Sequence, residues 1–367
     1  LGEALPSSPA LERLASFAAE ARVELTLGPQ FAARGYRQRA RLAVRGRSAS
    51  PKLGIFQEGS HRIVDIPSCL VHHPLINEIA SAFKRAVREV GVPPYADAAD
   101  RGLLRYLQVV VERASSTAQV VVVANCADHA PLEALLASFR AQLGERLQGL
   151  FVSLHRSRSN AILGPHCDKV YGRDAVRERI AGADVFFPPD AFGQSHLELY
   201  TKIVEEIGAW VPDGAEVVEL YAGTGAIGLS LLPRVARVDF NEIAPGSLRG
   251  LAMGIEAQPA AARARTRVHP GPAAAHASLA PGAQVAIADP PRRGLDAALL
   301  MALCARPAER FIYLSCGLDS FLADARALLR EGRCRLTRLI AYDLFPFTEH
   351  VEILACFDRS DANLTAS

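Results

Sequence analysis

EVVELYAGTGAIGLSLL, residues 216–232, decides how the second half of this chain folds. Its first five residues read as a strand, the glycines at 223, 225 and 228 as a tight turn, and AIGLSLL as the return to helical spacing. The GxGxxG spacing on its own suggests a dinucleotide site more often than anything else. Working outward, HLELYTKIVEEIGAWV (196–211) is an amphipathic helix, and RVARVDFNE (234–242) is a strand. QVAIADPPRRG (284–294) is a strand and loop, RFIYLSCG (310–317) a strand, and LFPFTEHVEILACFDR (344–359) a loop feeding a last strand. Strands that alternate with helices, most of them apolar on both faces, imply an α/β doubly wound sheet with ligands at the carboxyl ends of its strands.

The first half has a different rhythm. KLGIFQEGSHRIVDIP (52–67) reads as a hairpin turning at Gly59-Ser60, and HPLINEIASAFKRAVREVG (73–91) as a helix. YLQVVVERASSTAQVVVVANC (106–126) gives two apolar strands around a polar turn, and PLEALLASFRAQLGERLQ (131–148) returns to helix. LQGLFVSLHRS and NAILG (147–164) are strand-like. Strands interleaved with only two helices point to an α+β layer. The expected organisation is a partly helical N-terminal extension over 1–30, an α+β domain over 31–188, the doubly wound domain over 189–360, and a tail over 361–367.

With 367 residues, half of them hydrophobic, the chain builds sizeable cores and favours two domains. It has neither a run of about 20 apolar residues nor the basic-then-apolar order of a signal peptide, so a soluble cytoplasmic protein with no membrane partner is expected. The seven cysteines (69, 126, 167, 304, 316, 334, 356) form no CxxC pair, which speaks against a disulfide framework or a zinc site. Net charge is +2, yet its distribution is uneven: seven basic residues lie between Arg34 and Lys52 with no acidic one before Glu58. In YRQRARLAVRGR (36–47) the arginines alternate with Ala, Leu and Val. A two-residue period puts an apolar face on the core and a guanidinium row outward, either a solvated strand face or a surface that tracks phosphates.

Carboxylates recur where the strands end. Glu219 precedes the glycine loop, and Glu242 follows it by about twenty residues, where it accepts hydrogen bonds from ribose hydroxyls. A nicotinamide dinucleotide and S-adenosylmethionine both satisfy that arrangement. Asp289 ends the next strand, and two prolines then stiffen the loop so that a carboxylate faces a planar group. Cys316 ends the strand after that, where a thiol is either a small core residue or a nucleophile.

ELYAGTG, VDFNE, ADPPRRGLD, IYLSCG and DLFPFTEHVE, in this order and spacing, resemble the class I S-adenosylmethionine-dependent RNA (uracil-5-)-methyltransferases, which make 5-methyluridine in ribosomal and transfer RNA. YRQRARLAV, KLGIFQEGSHRIVDIPSC, RGLLRYL, SNAILG and PDAFGQSHLELY resemble blocks of the family's RNA-facing domain, so the likeness covers residues 34 to 359. It implies a Rossmann-like methyltransferase domain behind an α+β RNA-facing domain, with S-adenosylmethionine as cofactor. Carbon 5 of uracil is a poor nucleophile until a thiolate adds at carbon 6, and the resemblance gives that role to Cys316. Glu352 matches the general base that later removes the carbon 5 proton; His350, two residues before it, is an ordinary polar residue.

By position, Gln194, Tyr221, Gly223, Gly225, Glu242 and Asp289 bind the cofactor, with Phe192 either near the base or simply packed. Arg37, Arg39, Arg41 and Arg45 bind RNA, the partner expected for a monomer that needs no other protein. The target is a nucleotide flipped from its stack in rRNA or tRNA. Three positions depart from the family, which has Asn where Gly317, His196 and Ala226 stand. Of the four cysteines that hold an iron-sulfur cluster in some members, Cys69 alone has a match, so no cluster is expected. Two other readings stay open: a methyltransferase of the same fold with another substrate, and an RNA-binding protein whose catalysis has decayed.

Overall fold

A computed structural model describes residues 8–60, 62–97, 100–159 and 161–360. The tail expected over 361–367 lies outside the described residues, as does the start of the N-terminal extension. Two compact units form: one takes Ala32–Glu178 and Phe186–Leu197, the other the N-terminal segment through Phe31, Arg179–Val185 and the chain from Glu198 onward.

In the first unit the described residues form a seven-stranded sheet, in the order Ile63–Asp65, Ser50–Phe56, Arg39–Arg47, Leu104–Glu112, Thr117–Ala124, Leu147–Leu154, Asp168–Gly172. All neighbours are antiparallel except Thr117–Ala124 with Leu147–Leu154, which the helix Glu133–Leu143 connects as a crossover. The helix Pro74–Val90 starts cleanly: Pro74 needs no donor, and His73 Nδ1 accepts from the Leu75 N–H at 3.2 Å. Gly91, with φ 80°, closes its other end. Phe83 and Phe139 meet edge to face between the two helices, over Leu42, Val44, Val109 and Val122 of the sheet.

That packing corrects the expected row of outward arginines. Ala40, Leu42 and Val44 do face the helices, but the opposite face of the strand is covered too. Arg39 and Arg45 are each only 8% exposed, whereas Arg41 is exposed and Arg37 half-buried. Arg39 Nη1 donates to the Ala191 carbonyl at 2.6 Å, and its guanidinium lies 5.5 Å from the Phe187 ring centre. Arg45 makes a bidentate pair with Asp97 at 2.7 and 3.0 Å among the rings of Phe56, Tyr95 and Tyr106. The strand expected in NAILG is also absent over 161–164. There the Gly164 N–H donates to Ser153 Oγ at 2.9 Å, and a Cβ on Gly164 would sit 2.0 Å from the Leu154 carbonyl oxygen, so a side chain diverts the backbone from a ladder.

The second unit's described residues form an eight-stranded sheet in the order Leu25–Leu27, Cys334–Tyr342, Glu352–Arg359, Arg310–Ser315, Val285–Ala288, Glu216–Leu220, Arg237–Glu242, Thr266–Pro270. Neighbours are parallel except for Glu352–Arg359, which runs against both of its partners. The helices Pro9–Ala21 and Leu318–Arg330 pack on one face, where Leu14, Phe17, Phe321 and Phe357 share a core with Leu220, Ala288 and Tyr313. The reversal of Glu352–Arg359 amends the expectation that functional residues lie where strands end. Glu352 begins its strand, yet it shares the edge where the parallel strands end, because Ser315 pairs with Ile353. One step further along that register, Cys316 stands opposite Glu352.

Candidate active site

The glycine loop rises from Leu220 through three left-handed residues, Tyr221 (φ 57°), Gly223 (φ 57°) and Gly225 (φ 80°), before the helix Ala226–Leu231. Gly223 accommodates that backbone at no steric cost, and the place where its Cβ would stand is open space. Gly228 is a glycine for a different reason: a Cβ there would lie 2.4 Å from both Glu219 Oε2 and Phe240 Cε1. Glu242, buried at the end of the next strand, accepts the Gly223 N–H at 2.7 Å with one oxygen. Its other oxygen takes the N–H groups of Ile243 and Ala244 at 2.8 and 2.6 Å. A carboxylate offers about four acceptor positions, so Glu242 ties loop to strand and keeps room for a further donor. Tyr221 is engaged as well: its hydroxyl donates to Asp296 Oδ2 at 3.2 Å and accepts from the Asp296 N–H at 3.0 Å.

Asp289, Cys316 and Glu352 come together at the ends of three neighbouring strands. Glu352 is fully buried, and neither of its carboxyl oxygens has a hydrogen-bond partner among the described residues. Burial and then the neighbouring Asp289 carboxylate push it well above the usual range, against the opposing pull of the Arg292 guanidinium. Burial pushes Asp289 up to about 7. The Cys316 thiol, partly exposed, is raised to about 11 by burial and then by Glu352 and Asp289, while Arg292 acts the other way by charge and by a side-chain hydrogen bond.

Reading the sequence for motifs missed several members of this site. Tyr200 is buried among the charges of Asp289, Glu219 and Glu352, which with burial keep its hydroxyl protonated. Glu219, already singled out as the acid before the glycine loop, accepts the Gly228 N–H at 2.7 Å. Asp324 Oδ2 accepts from the Leu295 N–H at 2.9 Å and from the Tyr313 hydroxyl at 2.8 Å, pinning the loop after Asp289 to the helix after Cys316. Ser320 and Asp324 follow Cys316 at steps of four, one helical face, and that spacing was the available signal.

Gln194 lies in the first unit, on the Phe186–Leu197 segment, where it lines a small cavity with Gln38, Arg39, Glu178 and Phe187. A Cβ on the preceding Gly193 would meet Arg39 Nη2 and Phe187 Cε1 at 2.7 Å each, so Arg39 packs directly behind the segment that carries Gln194. Phe192 is exposed there, and His350 is exposed in the loop before Glu352. Cys69 exchanges its backbone N–H and carbonyl with the Asn77 side chain, each at 3.1 Å. Among the described residues no group of three or more His, Cys, Asp or Glu is placed to hold a metal, and no helix is long and apolar enough to cross a membrane.

The family model described as tRNA (Uracil-5-)-methyltransferase matches residues 282–359, the segment holding Asp289, Cys316 and Glu352. A protein of Protochlamydia amoebophila named as an uncharacterized RNA methyltransferase is 35% identical over 333 residues, 89% of this chain and 86% of its own length. The chain belongs to the RNA (uracil-5-)-methyltransferase family. A second relative, from Geobacter sulfurreducens and also named as an uncharacterized RNA methyltransferase, is 28% identical over 87% of this chain and 65% of its own length. The fold matches the crystal structure of a Pyrococcus abyssi tRNA (uracil-54, C5)-methyltransferase in complex with S-adenosyl-L-homocysteine, with TM-score 0.78 and 23% identity over 95% of this chain and 81% of that one.

Within this methyltransferase family, the three departures acquire local reasons. At Gly317 a Cβ would come within 2.4 Å of the Arg292 carbonyl oxygen and 2.6 Å of Ser320 Oγ, so this chain has no room for a side chain there. His196 is buried, with its ring stacked on Tyr36 at 4.6 Å, and burial pushes it down to about 4, which leaves a neutral imidazole. Ala226 is buried as the first residue of its helix.

Proposed function

We propose that this methyltransferase acts on carbon 5 of a uridine in structured RNA, rRNA or tRNA, through a covalent adduct on Cys316. The observation that carries the reading is Glu352: a fully buried carboxyl without a hydrogen-bond partner among the described residues, opposite the thiol that would form the adduct. A buried polar group left unpaired costs about 1–3 kcal/mol, a cost offset when a bound substrate gives it work.

The glycine loop fits S-adenosylmethionine, because the left-handed Gly223 leaves open space beside Glu242. When bound, that cofactor supplies an electrophilic methyl group on a sulfonium. Glu242 and Tyr221 hold the loop in shape, Gly223 and Gly225 let the ligand lie against backbone, and Asp289 orients it and the base. The Cys316 thiol gives its proton to solvent, Sγ forms a bond to carbon 6, and the carbon 5–carbon 6 π pair moves to carbon 5, which would take the methyl while the pair of the broken carbon–sulfur bond stays on the sulfonium sulfur. Glu352, once it has released its own proton to solvent, accepts the carbon 5 proton, the double bond re-forms, and Sγ leaves as thiolate. Arg37 and Arg41 hold phosphates, while Arg39 and Arg45 stiffen the strand that carries them.

The test uses 5-fluorouridine-substituted rRNA and tRNA with labelled S-adenosylmethionine. Fluorine cannot be removed as a proton, so a denaturation-resistant protein–RNA adduct accumulates in the wild type and disappears in Cys316→Ala. A wild-type protein that binds S-adenosylhomocysteine yet forms no adduct with either RNA overturns the proposal and favours a decayed RNA-binding protein.

A further inference from the structure

We propose that Phe347 is a substrate-binding residue, whose ring stacks on the RNA base beside the target uridine once that uridine has left its own stack; the inference rests on the RNA uridine reading given above. Phe345 to Thr348 make a turn, closed by the Thr348 N–H on the Phe345 carbonyl at 3.1 Å, with Pro346 second and Phe347 third. Phe347 has φ 68°. A turn with proline second and a positive φ third calls for glycine or asparagine there, because a bulky side chain is strained in left-handed backbone. Packing does not offset that strain: the Phe347 ring is 80% exposed, the most exposed large hydrophobic residue among those described. Tyr221, also aromatic with a positive φ, differs, since its hydroxyl is bonded to Asp296. The turn is held firmly as well. Thr348 Oγ1 donates to the Phe345 carbonyl at 2.7 Å and accepts from the His350 N–H at 3.2 Å. The Phe345 and His350 rings meet edge to face at 6.2 Å, and Leu344 and Val351 are buried at the two ends of the loop.

The place of this loop in the fold points to the occupant. Residues 343–351 join the strands Cys334–Tyr342 and Glu352–Arg359, whose last pair is Tyr342 with Glu352, and Cys316 stands opposite Glu352. Phe347 is five residues from Glu352, within about 17 Å of it even along a fully extended chain, so the ring stands at the rim of the site that receives the base. A uridine that reaches a buried Glu352 has left its stack and bares one face of its neighbour. A rigid, exposed ring covers such a face at little entropic cost, and every base offers one.

The experiment is filter binding of unmodified rRNA and tRNA transcripts over a salt series, without cofactor, beside thermal unfolding of each variant. Phe347→Gly is expected to weaken RNA affinity about tenfold, within what stacking on one base provides. It leaves the salt slope unchanged, because a stacked ring releases no counterion. The same variant relieves the left-handed backbone, so its unfolding midpoint stays at or above that of the wild type. Phe347→Trp keeps the wild-type affinity, whereas Phe347→Leu, apolar without a π face, loses most of what Phe347→Gly loses. Retained S-adenosylhomocysteine binding in a thermal-shift titration shows that each variant keeps its cofactor site. Wild-type RNA affinity in Phe347→Gly, or in Phe347→Leu, overturns the stacking role, and a lowered unfolding midpoint in Phe347→Gly assigns the ring to the fold instead. Loss of self-association in Phe347→Gly, with RNA affinity intact, assigns it to a second copy of the chain. A wild type that binds these transcripts yet forms no fluorouridine adduct is a result against the covalent chemistry, and the affinities of the variants still judge Phe347.

Discussion

Glu219 has a buried carboxyl whose hydrogen bond comes from the Gly228 N–H, and burial pushes it up to about 8, with the Asp289 and Glu242 charges adding to the effect. The consequence for stability has a definite sign. Between the unfolded carboxyl's ordinary value, about 4.3, and about 8 in the fold, the folded state holds a proton that the unfolded chain has released. Stability is therefore fully present below that window and falls as pH rises through it, by up to about 1.4 kcal/mol per pH unit. Glu219→Gln keeps an acceptor for the Gly228 N–H and removes the titration. Urea unfolding from about pH 5 to 8 is expected to show a falling stability in the wild type and a shallower fall in Glu219→Gln. Parallel curves would show that Glu219 is ionised in the fold. Asp289, raised to about 7, adds a slope of the same sign that ends at lower pH and persists in the variant.

At the scale of the element, the strand Arg39–Arg47 shows how the same residue type serves two ends. Arg39 is buried with its guanidinium on the Ala191 carbonyl and the Phe187 ring, with no carboxylate partner among the described residues, and burial lowers it to about 9. Arg41, two residues on, keeps an exposed side chain and a 2.7 Å hydrogen bond to Gln108 Oε1. Arg41→Gln is expected to weaken RNA binding and to reduce the slope of log affinity against log salt by about one phosphate contact. Arg39→Gln should leave that slope unchanged and instead cost about 1–3 kcal/mol of folding stability, since the Ala191 carbonyl loses its donor. Filter binding over a salt series, with denaturant unfolding of both variants, checks the pair. An unchanged stability in Arg39→Gln, with a reduced salt slope, would return Arg39 to the RNA surface.

For the whole molecule, the N-terminal segment is more than an extension. Leu14 and Phe17 of the helix Pro9–Ala21 are almost wholly buried, Phe17 meeting Phe321 edge to face at 5.9 Å. The strand Leu25–Leu27 then covers the edge of the sheet beside Cys334–Tyr342, where unpaired backbone groups would otherwise invite pairing with another chain. Phe17→Ala is expected to cost about 3–5 kcal/mol, measured by denaturant unfolding. A loss under about 1 kcal/mol would mean that the helix is dispensable to the core.

Local pattern determined much of this protein. The strand–glycine-loop–helix of 216–232, the apolar runs ending in Asp289 and Cys316, and the α+β rhythm of the first half follow from spacing and turn chemistry, which act over a few residues. Pairing over long separations decided the rest. The reversal of Glu352–Arg359 brings Glu352 opposite Cys316, and strand direction is not written in a run of apolar residues. The burial of Arg39 and Arg45 came from segments distant in sequence, 186–197 and the loop bearing Asp97, so alternation alone described one face of the strand correctly and the other wrongly. Gly317, an unexplained departure as sequence, is accounted for by the Arg292 carbonyl that occupies the space a side chain would need: steric exclusion between two loops appears only when both are folded.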